Sequence, residues 1–360
     1  MIRRSQMQRT ADKFSDPSVA TLGSHSALEI ARGAVDEQLR SVVVAKKGRE
    51  LPYTKYYKTD GDLGCVDNTI LIKEWRELAE KRVIGKLLEY GSIFIPHRSF
   101  QVYLGYDKIN NHFTIPIFGN RKLLQAEERG ASQAKVNQEF LLEVAGIPTP
   151  KKFNSPREID RQVIVKASAA IGDKPFQRNF PIVGSADEYI AAYEKEVARA
   201  RNKEEGKLIS KSFKSAPIQE YLPGNTVNIN YFYSILTGEL EIMGTDTRIQ
   251  FPWGEEMGHY AISPKESLIP MMYSMGMQMV EACKEYCKPG IIGPFALQSV
   301  AKENDKLLVY DASFRTPGSP DSKKSPSTEY RYGHEVSIGR RIAMEIKEAL
   351  RKDRLKELVT

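Results

Sequence analysis

The apolar positions of the first third fall into short β-branched runs separated by a stretch of helical spacing. Ser18 to Leu22 and Ser41 to Ala45 read as strands, and Ala27 to Leu39 between them reads as an amphipathic helix. This β-α-β order predicts a parallel sheet. Ser92 to Pro96 and Phe113 to Phe118 read as two further strands. Three of the strands run into small polar turns that open helices: Gly23-Ser24-His25-Ser26, Pro96-His97-Arg98-Ser99 and Gly119-Asn120-Arg121. Ligands of open α/β sheets gather beyond the carboxyl ends of the strands, where helix N-termini offer N–H groups to anions. The three turns are therefore expected to share one phosphate-bearing ligand.

A helix over Lys122 to Ala145 leads to the breaker cluster Gly146-Ile147-Pro148-Thr149-Pro150. Beyond it lie a strand, Gln162 to Lys166, a loop, Ala167 to Arg178, and a charged helix, Ala186 to Gly206. After Lys214 to Glu220 come two hairpins, Thr226 to Met243 turning at Thr237-Gly238 and Phe295 to Ala312 turning at Asn304-Asp305. A helix from Pro264 to Cys287 separates them, and a basic helix, Ile338 to Leu358, closes the chain. This organisation divides into residues 1–121, 122–225 and 226–360. The aromatic stripe between Tyr221 and Phe251 is expected to be core.

The second hairpin carries the chemistry. In a two-residue turn at Asn304-Asp305, Glu303 faces Lys306, and counting back sets Gln298 directly opposite Asp311, with Cβ atoms roughly 4.5–5.5 Å apart. Their expected neighbours on that face, Ala296, Val300, Leu307 and Val309, are apolar. Two polar side chains on an apolar hairpin need a partner. A carboxylate and an amide oxygen suit Mg²⁺, which takes one or two protein ligands and completes its octahedron with phosphate and water. The same pair could instead be a buried hydrogen bond that fixes register. Lys166, at the end of an apolar strand, is placed either to meet nucleotide phosphates or to reach solvent. Pro217 to Leu222, with Gln219 and Glu220, has the look of a strand edge on which an adenine could stack.

Composition narrows the class. The chain has 360 residues, 41% hydrophobic and 28% charged, enough for two or three packed subdomains. No apolar run is long enough for a membrane span, and the polar start carries no secretory pattern, so a cytoplasmic protein is expected. The net charge of +7 comes from basic residues dispersed among 46 acids, which argues against nucleic acid and for a surface that attracts a phosphorylated metabolite. Cys283 and Cys287 are read as reduced, helix-packed thiols, as two thiols without further ligands make a poor zinc site.

Lys166, Gln219-Glu220-Tyr221, and the hairpin with Gln298 and Asp311 follow one another in the order of the ATP-grasp ligases. Ala20 to Ser26, Ile95 to Phe100, Phe118 to Arg121, Met243 to Arg248 and Gly290 to Ser299 narrow the likeness. From about Val19 to Leu350 the chain resembles the archaeal formate-dependent 5-formaminoimidazole-4-carboxamide ribonucleotide synthetases. The resemblance implies an α/β protein, an ATP-grasp fold preceded by a small parallel α/β domain. It implies a cytoplasmic homo-oligomer of purine (IMP) biosynthesis, an ATP-dependent carbon–nitrogen ligase using ATP and Mg²⁺ or Mn²⁺. ATP would activate formate as formyl phosphate, which the amine of 5-aminoimidazole-4-carboxamide ribonucleotide then attacks. By resemblance His25, Ser26, Ser99 and His259 would contact the ribonucleotide, Lys166, Gln219 and Glu220 would hold ATP, and Gln298 and Asp311 the metal. Ser24, His97, Asp246, Arg248 and Arg315 are further candidates, the two arginines either for anionic groups or as structural ion pairs.

Four departures from the family pattern lie around ATP or the reacting end of the substrate. The loop after Lys166 has a single glycine, Gly172, where the family loop is glycine-rich. Asp311 replaces a glutamate, His259 replaces an asparagine, and Thr316-Pro317-Gly318-Ser319-Pro320-Asp321 replaces a segment ending Gly-Gly-Thr-Asn. Two alternatives stay open at this point: a paralogous ligase joining another carboxylate and amine, and a ribonucleotide-binding protein without catalysis.

Overall fold

The computed structural model describes residues 1–127, 135–171, 174–250, 256–302 and 305–360, with backbone only at 168–171, 174–179, 250, 256–257 and 320–321. After a short helix, α1 (Arg4–Ala11), strands β1 (Ser18–Leu22), β2 (Ser41–Lys46) and β4 (Ser92–Phe94) form the expected parallel sheet, joined by β3 (Asn68–Ile72), a strand the sequence pattern did not single out. Their order is β3-β2-β1-β4. Helices α2 (Ala27–Asp36) and α3 (Lys81–Glu89) link the strands, and α4 (Arg98–Leu104) and α5 (Tyr106–Asn111) follow. Val43 and Ala45 pack on Ala27 and Ala31, whereas Ala20, Leu22, Val42 and Val44 pack with Val83, Leu87 and Phe100 on the other side. Burial on both faces is why these strands read as unbroken apolar runs. Phe113 to Phe118 is not a strand. It makes only the single bridges Phe94↔Ile117 and Phe118↔Val359, since Pro116 cannot donate to a ladder.

The predicted helix Lys122 to Ala145 is two helices, α6 (Arg121–Ala126) and α7 (Gln138–Val144). Asn137 starts the second by accepting a hydrogen bond from Phe140 N at 3.0 Å, a cap signal the periodicity had hidden; residues 128–134 lie outside the described residues. A small antiparallel sheet joins β5 (Lys152–Phe153), β6 (Val163–Val165), β9 (Ile182–Val183) and β10 (Ile218–Glu220). The expected loop after Lys166 is a hairpin, β7 (Ala167–Ile171) and β8 (Lys174–Asn179), whose turn at Gly172-Asp173 falls outside the described residues. The charged helix also divides, into α8 (Ala186–Ala198) and α9 (Lys203–Lys214), capped by Ser185 and Asn202.

The last part is a five-stranded antiparallel sheet in the order β13-β12-β11-β14-β15. Its strands are β11 (Thr226–Tyr233), β12 (Leu240–Gln250), β13 (Glu256–Ile262), β14 (Gly293–Lys302) and β15 (Lys306–Ser313). One face is buried against α10 (Ile269–Tyr286), where Met272, Met279 and the free thiol of Cys283 meet Ile229, Tyr231, Leu297 and Val309. Of the aromatic stripe, Tyr231 and Phe232 are fully buried; Phe251 lies outside the described residues. Helices α11 (Ser327–Tyr332) and α12 (Ile338–Arg351) follow; the expected closing helix ends at Arg351 and Leu355–Leu358 is a separate 3₁₀ turn. Arg341 of α12 pairs with Glu241 at 2.9 Å and Glu345 at 2.9 Å in the interior, tying that helix to β12.

The returning α12 lies against α2 so closely that two glycines meet. A Cβ on Gly33 would sit 2.1 Å from Arg340 N, and one on Gly339 2.3 Å from Glu29 O. Gly33→Ala should therefore lower the unfolding free energy in denaturant titrations by about 2 kcal/mol, the scale of a core overpacking. Gly85→Ala, in a helix with nothing within 4 Å of the new methyl, should raise it by about 0.5–1 kcal/mol.

Candidate active site

The face of the five-stranded sheet away from α10 carries one polar row. Asp311 of β15 pairs with Gln298 of β14, Gln298 with Asn228 of β11, and Asn228 with Asp246 of β12. The predicted opposition of Gln298 and Asp311 is real, but it arises differently. Three residues, 303–305, separate the paired Lys302 and Lys306, and a bulge at Tyr310 then restores the pairing of Gln298 with Asp311. Asn304, half of the predicted turn, lies outside the described residues. The bulge also corrects the neighbours. Leu307 and Val309 lie in the core on the opposite face, while Ala296, Ser313, Val300 and Leu308 are the paired residues on either side of Gln298 and Asp311.

The row opens onto a cavity of about 100 Å³ lined by His25, Arg98, Asn228, Arg248, His259, Gln298, Asp311, Ser313, Arg315 and Gly318, among others. Six of the sequence candidates thus meet in one place, drawn from the turn after β1, from β12 to β15 and from the segment after them. Asp246 is fully buried; its Oδ1 accepts from Asn228 at 2.9 Å and Asn230 at 2.7 Å, and its Oδ2 lies 3.5 Å from His259 Nδ1. Asn228 Nδ2 donates to such acceptors, while its Oδ1 is buried with no hydrogen bond among the described residues.

The first two turns converge as expected. Ser24 and Ser99 hydroxyls are 3.0 Å apart, and the His25 and His97 rings stack at 5.8 Å. Ser26 Oγ donates to Pro317 O at 3.0 Å, so it accepts from His25 Nδ1 at 2.8 Å, which fixes the His25 tautomer with its proton on Nδ1. His97 neither caps α4 nor lines the cavity: its ring is fully buried, and Nε2–H donates to Leu22 O at 2.8 Å. Burial drives its pKa down to about 4, so it is neutral. The third turn does not join the site. Gly119 N donates to Leu358 O and Arg121 N to Thr360 Oγ1, while the buried Arg121 guanidinium is taken up by Phe113, Ile115 and Thr360 carbonyls.

Charge around the cavity is held by a residue the sequence reading passed over. Glu127, at the end of α6, is buried, accepts from Phe314 N at 2.7 Å, and lies 3.4 Å from Arg315 and 3.8 Å from Arg98. Burial pushes its carboxyl up and the Arg315 guanidinium down, each partly offset by the other. Arg315 is therefore both a cavity residue and a structural ion pair. No periodic or motif signal marks Glu127; only its position after the Asn120 cap could have.

On the nucleotide side, Lys166 Nζ donates to the carbonyl of the bulged Tyr310 at 2.7 Å, beside Asp311. Gln219 is buried with Oε1 lacking a hydrogen bond among the described residues, and Glu220 accepts from Lys151 N at 3.3 Å and faces Arg161 at 3.5 Å. The departing segment after β15 reaches further than expected. Besides Pro317 on Ser26, Ser319 Oγ is 3.2 Å from Asn228 Nδ2, and a Cβ on Gly318 would fall 2.1 Å from His25 Cε1. It covers the kept turn after β1.

Two family models match, described as "Protein of unknown function (DUF1246)" over residues 19–153 and "Domain of unknown function (DUF1297)" over 193–256 and 251–360. The 5-formaminoimidazole-4-carboxamide-1-(beta)-D-ribofuranosyl 5'-monophosphate synthetase of Methanopyrus kandleri is 34% identical over 100% of both chains. This chain belongs to that synthetase family. An IMP biosynthesis protein PurP from Thermococcus kodakaraensis has a similar structure, with TM-score 0.68 and 24% identity over 95% of this chain and 100% of that one. The biotin carboxylase domain of Hydrogenobacter thermophilus 2-oxoglutarate carboxylase, solved with MgADP, matches at TM-score 0.62 and 17% identity over 91% of this chain and 69% of that one. The fold is thus ATP-grasp with a parallel α/β sheet before it, as these synthetases share.

Within the synthetase fold, His97 gives a measurable mark. In the folded chain it takes a proton only near pH 4, against about 6.5 when unfolded. The unfolded state therefore binds the proton first as pH falls, and stability present above about pH 6.5 is lost on the way through pH 4. The advantage of wild type over His97→Gln in urea unfolding should shrink by about 3 kcal/mol between pH 7 and pH 4.

Proposed function

We propose that this protein is an ATP- and formate-dependent ligase that forms 5-formamidoimidazole-4-carboxamide ribonucleotide through formyl phosphate. The observation that carries the reading is the convergence of His25, Gln298, Asp311, Arg248 and Arg315 on one cavity, in a chain with full-length synthetase relatives. His25 and the Ser24–Ser99 pair stand at the carboxyl ends of β1 and β4, where the ribonucleotide phosphate would lie. Lys166, Gln219 and Glu220 approach from the small sheet, where they would hold ATP. In this arrangement residues 1–121 bind the ribonucleotide, 122–225 carry the nucleotide lid and 226–360 carry the metal hairpin. The protein would work in the cytoplasm as a homo-oligomer; among the described residues no helix is long and apolar enough to cross a membrane.

The donor set fits Mg²⁺. Asp311 and Gln298 are directly opposed, and Asn228, paired with Gln298 on the next strand, has a buried Oδ1 without a hydrogen bond among the described residues; such oxygens suit a hard cation completed by phosphate and water. Bound there, Mg²⁺ would neutralise charge on the transferring phosphate. The chain's own part is positioning. Lys166 and Arg315 face the phosphoryl oxygens, Arg248 and Arg98 hold the carboxylate, and His25 orients the ribonucleotide.

Supplying the protein with formate, Mg²⁺-ATP and the aminoimidazole carboxamide ribonucleotide should yield the formamido product with ADP, followed by chromatography. Chelation of divalent ions should abolish it. Asp311→Asn should lower kcat by about a hundredfold or more while ribonucleotide affinity, measured by calorimetry, stays within about threefold. No product from metal-loaded wild type would refute the reading.

A further inference from the structure

The geometry points to a further catalytic residue: we infer that His259 is the base that takes the proton from the attacking amine, with Asp246 behind it as the positioning carboxylate. The inference rests on the proposed reaction. His259 lines the same cavity as Asp311 and Gln298, from the opposite edge of the sheet. Nδ1 lies 3.5 Å from Asp246 Oδ2, with neither atom hydrogen-bonded among the described residues; a ring proton on Nδ1 would close that contact and leave the lone pair on Nε2. In apo sites such contacts are often long and tighten in the complex.

Asp246 has the features of an orienting group and no other evident task. It is fully buried, and Asn228 and Asn230 both donate to its Oδ1, fixing its direction. Its Oδ2 receives no hydrogen bond among the described residues and faces only the imidazole. A buried carboxylate held by two amides and aimed at a cavity-lining histidine is the arrangement that sets a tautomer and stabilises an imidazolium. The other charged groups around the cavity are Arg98, Arg248, Arg315, Asp311 and His25; Arg248 is the residue paired with His259 across β12 and β13.

The step balances. The amine nitrogen uses its lone pair to form the C–N bond to the formyl carbon of formyl phosphate, and the carbonyl electron pair moves onto oxygen. The proton on the new ammonium nitrogen passes to His259 Nε2. The oxygen pair then re-forms the carbonyl as the C–O bond to phosphate breaks, and phosphate leaves with that bonding pair. Nothing beyond the substrates is consumed, and the imidazolium returns its proton to water.

Single-turnover rapid quench with all three substrates, following ADP and the formamido ribonucleotide separately, tests the assignment. His259→Asn should form ADP within about threefold of the wild-type rate and the product at least about a hundredfold more slowly, the usual contribution of a general base. Asp246→Asn should show the same split to a smaller extent. Exogenous imidazole should restore product formation in His259→Gly without changing ADP formation. If ADP and product fall together, or neither falls, in a His259→Asn protein whose thermal unfolding is unchanged, His259 is not the base. Wild type that forms no product refutes the ligase reading itself, a different result from either.

Discussion

The arrangement of this site depends on one buried carboxylate. Glu127 joins three stretches of chain that are far apart in sequence: its own helix end, the turn after β4 through Arg98, and the exit of β15 through Arg315 and Phe314 N. Removing one partner of such an interior pair typically costs about 3–5 kcal/mol, because the remaining charge is left uncompensated. The pairing also does something an apolar contact could not. It brings two guanidinium groups to the cavity edge while neutralising one of their charges, so Arg98 and Arg315 stay together without repelling each other apart. Lobes that meet at a ligand need a fixed relation, and here the ion cluster adds to the apolar packing of Ile30, Ile93 and Phe118 with Phe232, Ile292 and Ile342.

The five-stranded sheet shows how a period of two separates stability from chemistry. Its α10 face is a continuous core of Met, Ile, Leu and Tyr side chains. Its other face holds Asp311, Gln298, Asn228 and Asp246 in one row across four strands. Within the row Asn228 donates across to Asp246 at 2.9 Å, which lowers the cost of burying that carboxylate. The bulge at Tyr310 is what lets Asp311 join the row. Without the extra residue, β15 would present its neighbour, and a one-residue slip carries every later side chain to the wrong face.

Much of this was legible in the sequence because it is local. The β-α-β pattern, the polar turns after β1 and β4, and the hairpin strands each announce themselves within a dozen residues. The opposition of Gln298 and Asp311 was also foreseen, through a turn one residue too short and without the bulge that compensates for it. What was illegible is long-range. Nothing near Glu127 signals that Arg98 and Arg315 will converge on it, and nothing near Gly119 signals that the C-terminal Leu358 and Thr360 will consume its turn's donors. Helix breaks at Asn137 and Asn202 were missed for another reason: residues of good helix propensity such as Gln138, Glu139, Lys203 and Glu204 follow them, and the capping side chains, not propensity, set the helix starts.

The segment after β15 explains why the cavity is so small. At about 100 Å³ it has room for a formate-sized anion, whereas pockets for larger ligands run to roughly 300–1,000 Å³. Besides the backbone bond from Thr316 N to Pro96 O, the covering strip meets the site through Pro317 O on Ser26, Ser319 on Asn228, and Gly318 against His25. Each touches a group that the ribonucleotide or the metal would claim under the proposed reaction. Under the proposed reaction this strip would stand between the turn that meets the ribonucleotide and the row that meets the metal, with a bond to each.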